Sequence, residues 1–265
     1  MGSVNENRDF WSNYQWPAEG EEWSSDWGNS SLEWFFEIYP RIHRYLPANT
    51  ILEIAPGHGR WTEFLLKYCK KLVVVDVSEN CINICKKRFS SCRHIDYYVN
   101  DGRSLDMVAD DSLDFIFSFD SLVHAEQDVI QSYVHQLGRK LKKGGWGFIH
   151  HSNAQRYKTY FMLINMLTKM TNINLKKMMD FVGIDAFDHW RAYSMSHYKF
   201  QQFAAEAGLY CVSQELINWK NRRLTDCLSI FCKNSDQGAI LCKVFKNHRF
   251  WGHVGYLKTL CKLYG

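Results

Sequence analysis

Three carboxylates stand where acids at neighbouring strand tips would share one ligand. Glu53 lies in ILEIAPGHG (Ile51 to Gly59), Asp76 closes KLVVVD (Lys71 to Asp76), and Asp101 lies in VNDG (Val99 to Gly102). The first two runs read as parallel strands buried on both faces, because they are unbroken and apolar. Ligands of open α/β sheets bind beyond the carboxyl ends of the strands, so acids far apart in sequence can meet there. Gly57 and Gly59 allow a sharp turn and a close approach of backbone to ligand. Glu53 beside that turn would repel the phosphates of a dinucleotide but suits a cationic or amino-bearing cofactor. Asp76, about 20 residues further on, is placed to grip ribose hydroxyls, and Asp101, at the tip of strand three, comes within reach of an adenine amino group.

Taken in order, EIAPGHG, VVVDVS, NDGRSL and SFDSLVHAE resemble the class I S-adenosylmethionine-dependent methyltransferases over roughly residues 30 to 235. PRIHRYLP, APGHGRWT, SFDSLVHAE and FIHHSN extend the resemblance to the small methyltransferases of bacterial capsule and surface-polysaccharide pathways. The family usually has glycine where this chain has Ala55, followed by Pro56. The resemblance implies an α/β, Rossmann-like seven-stranded sheet in the order 3-2-1-4-5-7-6. It implies S-adenosyl-L-methionine as cofactor, S-adenosyl-L-homocysteine as product, and a cofactor site at Glu53, Ala55, Gly57, Gly59, Asp76, Val77, Asp101, Gly102 and Phe119. The implied acceptor is a small sugar or a phosphorylated precursor, methylated on oxygen in the cytoplasm. Methylation of a phosphate, phosphoramidate or amino group stays open.

A hydroxyl acceptor needs a base, and histidine suits that role at neutral pH. His124 follows strand four, and His150 and His151 end strand five. If the chain after strand four is helical, Asp120 and His124 lie four apart on one face and the carboxylate orients the imidazole. The alternative is that Asp120 caps the turn or holds the cofactor's amino group while His124 makes a structural hydrogen bond. Neighbouring side chains on a strand face opposite ways, so one of His150 and His151 at most meets the acceptor; the expected one is His151. In DHWRAY (Asp188 to Tyr193), Arg191 could clamp a phosphate or carboxylate, with Tyr193 beside it, although an arginine among acids is more often in a structural salt bridge. Trp23 and Trp27 either stack on a sugar face and cover the cofactor or pack a flap against the sheet. The 11 histidines, with Glu126 and Asp128, show no convincing metal-ligand spacing, and Cys81 and Cys85 have no matching second pair, so no metal is predicted and metal dependence stays open.

The elements that must position these residues follow from patterning. Residues 1–30 carry Trp11, Trp16, Trp23 and Trp27 and read as a folded aromatic flap. Ser31 and Glu33 open a helix that Pro40 bends or ends. Residues 31–235 form the main domain, with helices over His58 to Cys69, after Ser78 and over Glu126 to Leu141, and strands over Leu113 to Phe119 and Trp146 to His150. Ser196 caps a helix through Ala205, and Tyr210 to Ile217 and Cys227 to Cys232 read as an antiparallel pair. Residues 154–193 form a helical insertion placed to roof the acceptor or to pack as core or dimer surface. Residues 236–265 form a basic amphipathic helical tail, with Lys243, Lys246, Arg249, Lys258 and Lys262 among apolar residues. It suits docking on its own domain or on a second copy, and offers a weaker contact with a membrane surface.

Composition fits this reading. A chain of 265 residues with 46% apolar content buries a large core, and a dispersed net charge of +4 is too small for a nucleic-acid footprint. Nine cysteines at irregular spacing, Cys81 and Cys85 among them, with no signal peptide, fit reduced thiols in the cytoplasm. A nicotinamide oxidoreductase is disfavoured, because HGRW follows Gly57 where a GxGxxG turn would continue. A non-catalytic relative that binds the cofactor to stabilise a partner remains open.

Overall fold

The computed structural model describes residues 3–171, 189–220, 222–233 and 241–264. Eight strands form one sheet: β1 (Ala48–Ile54), β2 (Cys69–Asp76), β3 (Ile95–Val99), β4 (Leu113–Ser118), β5 (Leu141–Ser152), β6 (Tyr210–Ile217), β7 (Asp226–Cys232) and β8 (Lys243–Asn247). Their order is β3-β2-β1-β4-β5-β7-β6-β8. The first five run parallel, β7 lies antiparallel between β5 and β6, and β8 runs parallel to β6. The expected seven-strand order is therefore extended by one strand, which comes from the tail read above as a helix.

Alternation along the strands divides the core into two layers. Ile51, Leu72, Val74, Phe115, Phe117 and Phe148 face one side, where α2 (Ser30–Glu33), α3 (Tyr39–Ile42), α4 (Thr62–Leu65), α5 (Glu79–Arg88) and α9 (Phe250–Tyr264) pack. Leu52, Val73, Val75, Ile116 and Ile149 face the other, beneath α6 (Gln127–Lys140) and α8 (His197–Glu206). Pro40 neither ends nor breaks its helix. It occupies the first turn of α3, after a π-helical stretch over Trp34–Ile38, where its missing N–H costs nothing. The helix expected over 58–69 shrinks to α4 and a 3-10 turn over Leu66–Tyr68, because β2 already begins at Cys69.

The N-terminal segment is folded, as its tryptophans suggest. Ser3 and Glu6 form a capping box at the start of α1 (Val4–Asn13), with Ser3 Oγ 3.2 Å from the Glu6 amide it accepts. Ser12 of α1 lies 3.0 Å from Ser78 through their hydroxyls, and the Asn7 side-chain amide donates to the His124 carbonyl at 3.4 Å. The helix therefore lies across the strand tips. At the other end of the chain, α9 buries Phe250, Val254 and Leu257 in the core, and Trp251 packs edge-on to Trp27 at 5.8 Å. Lys258 reaches back to Asp26 at 3.0 Å, so flap and tail brace each other. The insertion is seen as α7 (Lys158–Thr171), docked through Phe161 and Ile164; its remainder over 172–188, Asp188 included, lies outside the described residues, as do 236–240 of the tail.

The centre of the sheet has no spare room. A Cβ on Gly147 of β5 would sit 2.2 Å from the ring of Phe231 on β7. Gly147→Ala is expected to destabilise the protein by roughly 1 to 3 kcal/mol, read as a lower midpoint in urea unfolding.

Candidate active site

A cavity of about 490 Å³ opens where β1, β2 and β4 end, within the usual size of a small-molecule site of roughly 300–1,000 Å³. The turn after β1 shapes its floor. Ala55, Gly57 and Gly59 all have positive φ, at 59°, 58° and 85°, so an alanine stands where glycine would cost least. A Cβ on Gly57 would meet the Trp16 ring at 2.6 Å, and one on Gly102 would meet Val4 at 2.5 Å. Trp16 also stacks on His58 at 4.3 Å. The flap therefore closes onto the glycine positions themselves.

One end of the cavity is lined by Asp76, Val77, Gly102 and Tyr133, with α1 above through Val4. Asp76 accepts the Ser78 amide at 2.8 Å and the Gly57 amide at 3.3 Å. Burial pushes its carboxyl up to about 6, against those two backbone donors. This is the placement expected for a ribose-binding acid. Glu53 is different: it does not line the cavity but is buried behind the turn, where its Oε2 accepts from Thr62 at 2.6 Å. Its Oε1 has no partner among the described residues, and burial raises its pKa to about 8. Asp101 also fails to line the cavity. It folds onto its own loop and accepts the amides of Ser104 at 2.6 Å and Arg103 at 2.8 Å, which hold its pKa below the usual value. The three-acid rim is thus corrected to one acid, Asp76, because Glu53 supports the turn from behind and Asp101 caps a loop.

The other end is lined by Trp11, Trp23, Asp120, His124, Trp190, Arg191 and Trp219, with Phe119 between the two ends. The chain after β4 is not helical at Asp120, whose φ is 59°; a 3-10 turn follows over Leu122–His124. The expected Asp120–His124 couple is therefore not made. Asp120 pairs with Arg60 at 3.2 Å, and its amide donates to His150 Nδ1 at 3.2 Å. His124 instead places Nδ1 at 3.0 Å from the Trp190 carbonyl. A carbonyl only accepts, so Nδ1 carries the proton and Nε2 keeps its lone pair. Burial, then the Arg191 charge, lowers the His124 pKa to about 4.

His151 does not reach the cavity. It is stacked on Phe200 of α8 at 4.6 Å, with Nε2 2.8 Å from the Ser229 hydroxyl, and burial lowers its pKa to about 3. The two histidines do face opposite ways, and it is His150 that turns to the site side, behind Asp120, without lining the cavity. Arg191 lines the wall, yet its fork is taken by Asp226 through Nε at 2.7 Å and Nη2 at 2.8 Å, which corrects the phosphate clamp to a buried salt bridge. Trp27 is core, packed on Trp219 at 5.2 Å, and Tyr193 lies beside Phe161 of α7. Of the substrate residues expected, Trp23 and Arg191 line the cavity and Trp27 and Tyr193 do not. Sequence reasoning missed Arg60, His58, Trp190 and Trp219. The run GHGRW carried the first two, but nothing in it marks which side chains turn inward. Among the described residues no group of three or more His, Cys, Asp or Glu is arranged for a metal ion.

An adenosyl cofactor fits this floor. Asp76 sits beside the glycine turn, and both nitrogens of buried His58 lack a partner among the described residues. Comparison with known proteins agrees. Residues 51–145 match the family model described as a methyltransferase domain. Ribosomal RNA small subunit methyltransferase A of Coxiella burnetii is 31% identical over 58 residues, 22% of this chain and 22% of that protein. Nodulation protein S of Sinorhizobium fredii is 30% identical over 115 residues, 42% of this chain and 52% of that protein. The chain thus spans about a fifth and a half, respectively, of these two relatives. Geranyl diphosphate C-methyltransferase from Streptomyces coelicolor, solved with Mg2+, geranyl diphosphate and S-adenosyl-L-homocysteine, shares the fold with a TM-score of 0.58 at 11% identity, over 87% of this chain and 98% of that one.

Two tests follow from this geometry. Asp76→Ala should weaken S-adenosylhomocysteine binding by about 10- to 100-fold in calorimetry, the usual effect of losing hydrogen bonds to a charged group. Glu53, raised to about 8 in the fold from 4.5, stabilises fully below pH 4.5, and that contribution is lost as pH rises through 8. Glu53→Gln should therefore flatten the fall in unfolding free energy between pH 5 and 8 by up to roughly 1 kcal/mol per pH unit.

Proposed function

We propose that this chain, whose residues 51–145 match the methyltransferase-domain family model, is an S-adenosylmethionine-dependent enzyme that methylates a hydroxyl of a small, uncharged, sugar-like acceptor with His124 as the base. The observation that carries the reading is the neutral imidazole at the cavity wall, with Nδ1–H tied to the Trp190 carbonyl and Nε2 left as a lone pair. Bound at the floor, S-adenosylmethionine supplies an electrophilic methyl group on a sulfonium. Asp76 would hold its ribose.

A histidine lowered to about 4 is a weak base, and that is enough here. The hydroxyl would become strongly acidic as its O–CH3 bond formed and the S–CH3 bond broke to leave the neutral thioether, so a neutral Nε2 would suffice to take its proton late. Burial keeps that nitrogen unprotonated at every physiological pH, and the flap over the strand tips excludes water from the transfer.

The charge balance of the walls supports a neutral acceptor over a phosphorylated one. Arg60, Arg191 and Lys220 line the cavity, and each is already paired with a carboxylate: Arg60 with Asp120 at 3.2 Å, Arg191 with Asp226 at 2.7 Å, Lys220 with Asp26 at 2.6 Å. Trp11, Trp23 and Trp190 offer instead the flat apolar faces on which a sugar ring stacks. A precursor of a bacterial surface polysaccharide is an acceptor of this kind, in keeping with the resemblance of the motifs.

His124→Ala should lower kcat by about 10²- to 10⁴-fold, the range for loss of a general base, with S-adenosylhomocysteine affinity retained. In the unaltered protein kcat/KM should stay level from pH 8 to 5 and fall only as pH approaches 4, where His124 gains a proton. A near-normal rate in His124→Ala, with methyl transfer to a sugar measured by isotope-labelled cofactor, would sink the assignment.

A further inference from the structure

We infer that Arg191, held by Asp226, is the positioning residue for His124: it fixes the strained backbone whose carbonyl selects the imidazole tautomer. The inference rests on the reading of His124 as base. His189 and Trp190 are consecutive non-glycine residues with φ of 48° and 58°, a left-handed conformation that persists only where surrounding structure imposes it. What imposes it here is visible. The Arg191 fork grips both oxygens of Asp226 on β7 at 2.7 and 2.8 Å, and its remaining Nη1 turns back to the His189 carbonyl at 3.1 Å. One residue on, the Ala192 amide donates to the Val123 carbonyl at 3.1 Å, and the Ser152 hydroxyl donates to the Ala192 carbonyl at 2.7 Å.

Together these bonds staple residues 189–192 to the ends of β5 and β7 and to the turn that carries His124. The Trp190 carbonyl is thereby delivered to Nδ1 at 3.0 Å. Were it to swing away, Nδ1 and Nε2 would compete for the proton, and the fraction with a lone pair at the acceptor would fall. The same guanidinium acts on His124 through space. Arg191 disfavours the imidazolium, whereas Asp120 and Asp226 favour it, and Arg191 has the largest effect of the three. Arginine is required for the geometry, because a lysine ammonium cannot make the planar two-point contact and still reach the His189 carbonyl.

The test reads the imidazole itself by NMR of protein labelled at histidine, with the His124 signals assigned from their loss in His124→Gln. In the unaltered protein His124 should show the Nδ1–H tautomer and titrate near 4. Two variants are compared: Arg191→Lys, which keeps the charge and loses the fork, and the double variant Arg191→Met with Asp226→Asn, which removes both charges and leaves no buried carboxylate unpaired. Arg191→Lys should mix the tautomers, and the double variant should also move the His124 titration toward 6.5. Both should lower kcat by about 10- to 100-fold through misplacement of the base, with acceptor KM and cofactor affinity held within about twofold. Should the double variant fail to fold, Arg191→Lys decides alone. An unchanged Nδ1–H tautomer in Arg191→Lys overturns the inference. Methyl transfer that survives His124→Ala strikes the base assignment alone, since the NMR result does not depend on turnover.

Discussion

A guanidinium buried between two acids ties the mouth of the sheet together, since Arg60 can keep its charge out of water only if several elements converge on it. Its Nη2 meets Asp120 at 3.2 Å, while Nη1 meets the Ser24 hydroxyl at 2.9 Å and Glu33 at 3.4 Å. Its face lies 4.4 Å from the Trp61 ring. These partners come from the flap, the first helical layer, the glycine turn and the loop after β4. Burial pushes Glu33 up to about 8 despite the nearby cation, so Asp120 supplies the principal counter-charge. That requirement holds Asp120 in its left-handed turn and separates it from His124.

The same logic recurs along the wall. His150 accepts the Asp120 amide and lies 3.6 Å from Asp226, which is itself gripped by Arg191. A line of alternating charge and imidazole therefore runs from the glycine turn to the far end of the cavity. What remains for a ligand is a surface of tryptophan faces, the Asp76 carboxyl at the floor and the imidazoles of His58 and His124. On the proposed reading such a site takes a neutral, ring-shaped acceptor, because any phosphate would have to displace a buried carboxylate from its arginine. The flap and tail add enclosure: Lys258 and Lys220 both reach Asp26, and Gly28 lies tight against Cys261.

Much of the framework was legible before any coordinates. The apolar runs at 51–54, 71–76 and 113–118, each followed by glycine, serine or aspartate punctuation, mark parallel strands, and their order follows once the motifs are placed. Asp76 was legible for the same reason, since strand end and glycine turn are local in sequence. The eighth strand was not. Lys243 to Asn247 alternates no more clearly than a helix of that length, and it is a strand only because the edge of β6 offers it a hydrogen-bonding partner.

The chain's local chemistry determined by itself that a glycine bend stands beside an aspartate at neighbouring strand ends, since short-range backbone sterics and strand-end geometry suffice for that. Only the tertiary structure decided which histidine is available, which arginine is already engaged, and that Asp101 serves its own loop. Those outcomes depend on contacts such as Trp190 with His124 and Asp226 with Arg191. Their partners lie tens of residues apart, and side-chain direction at a turn is set by what it packs against.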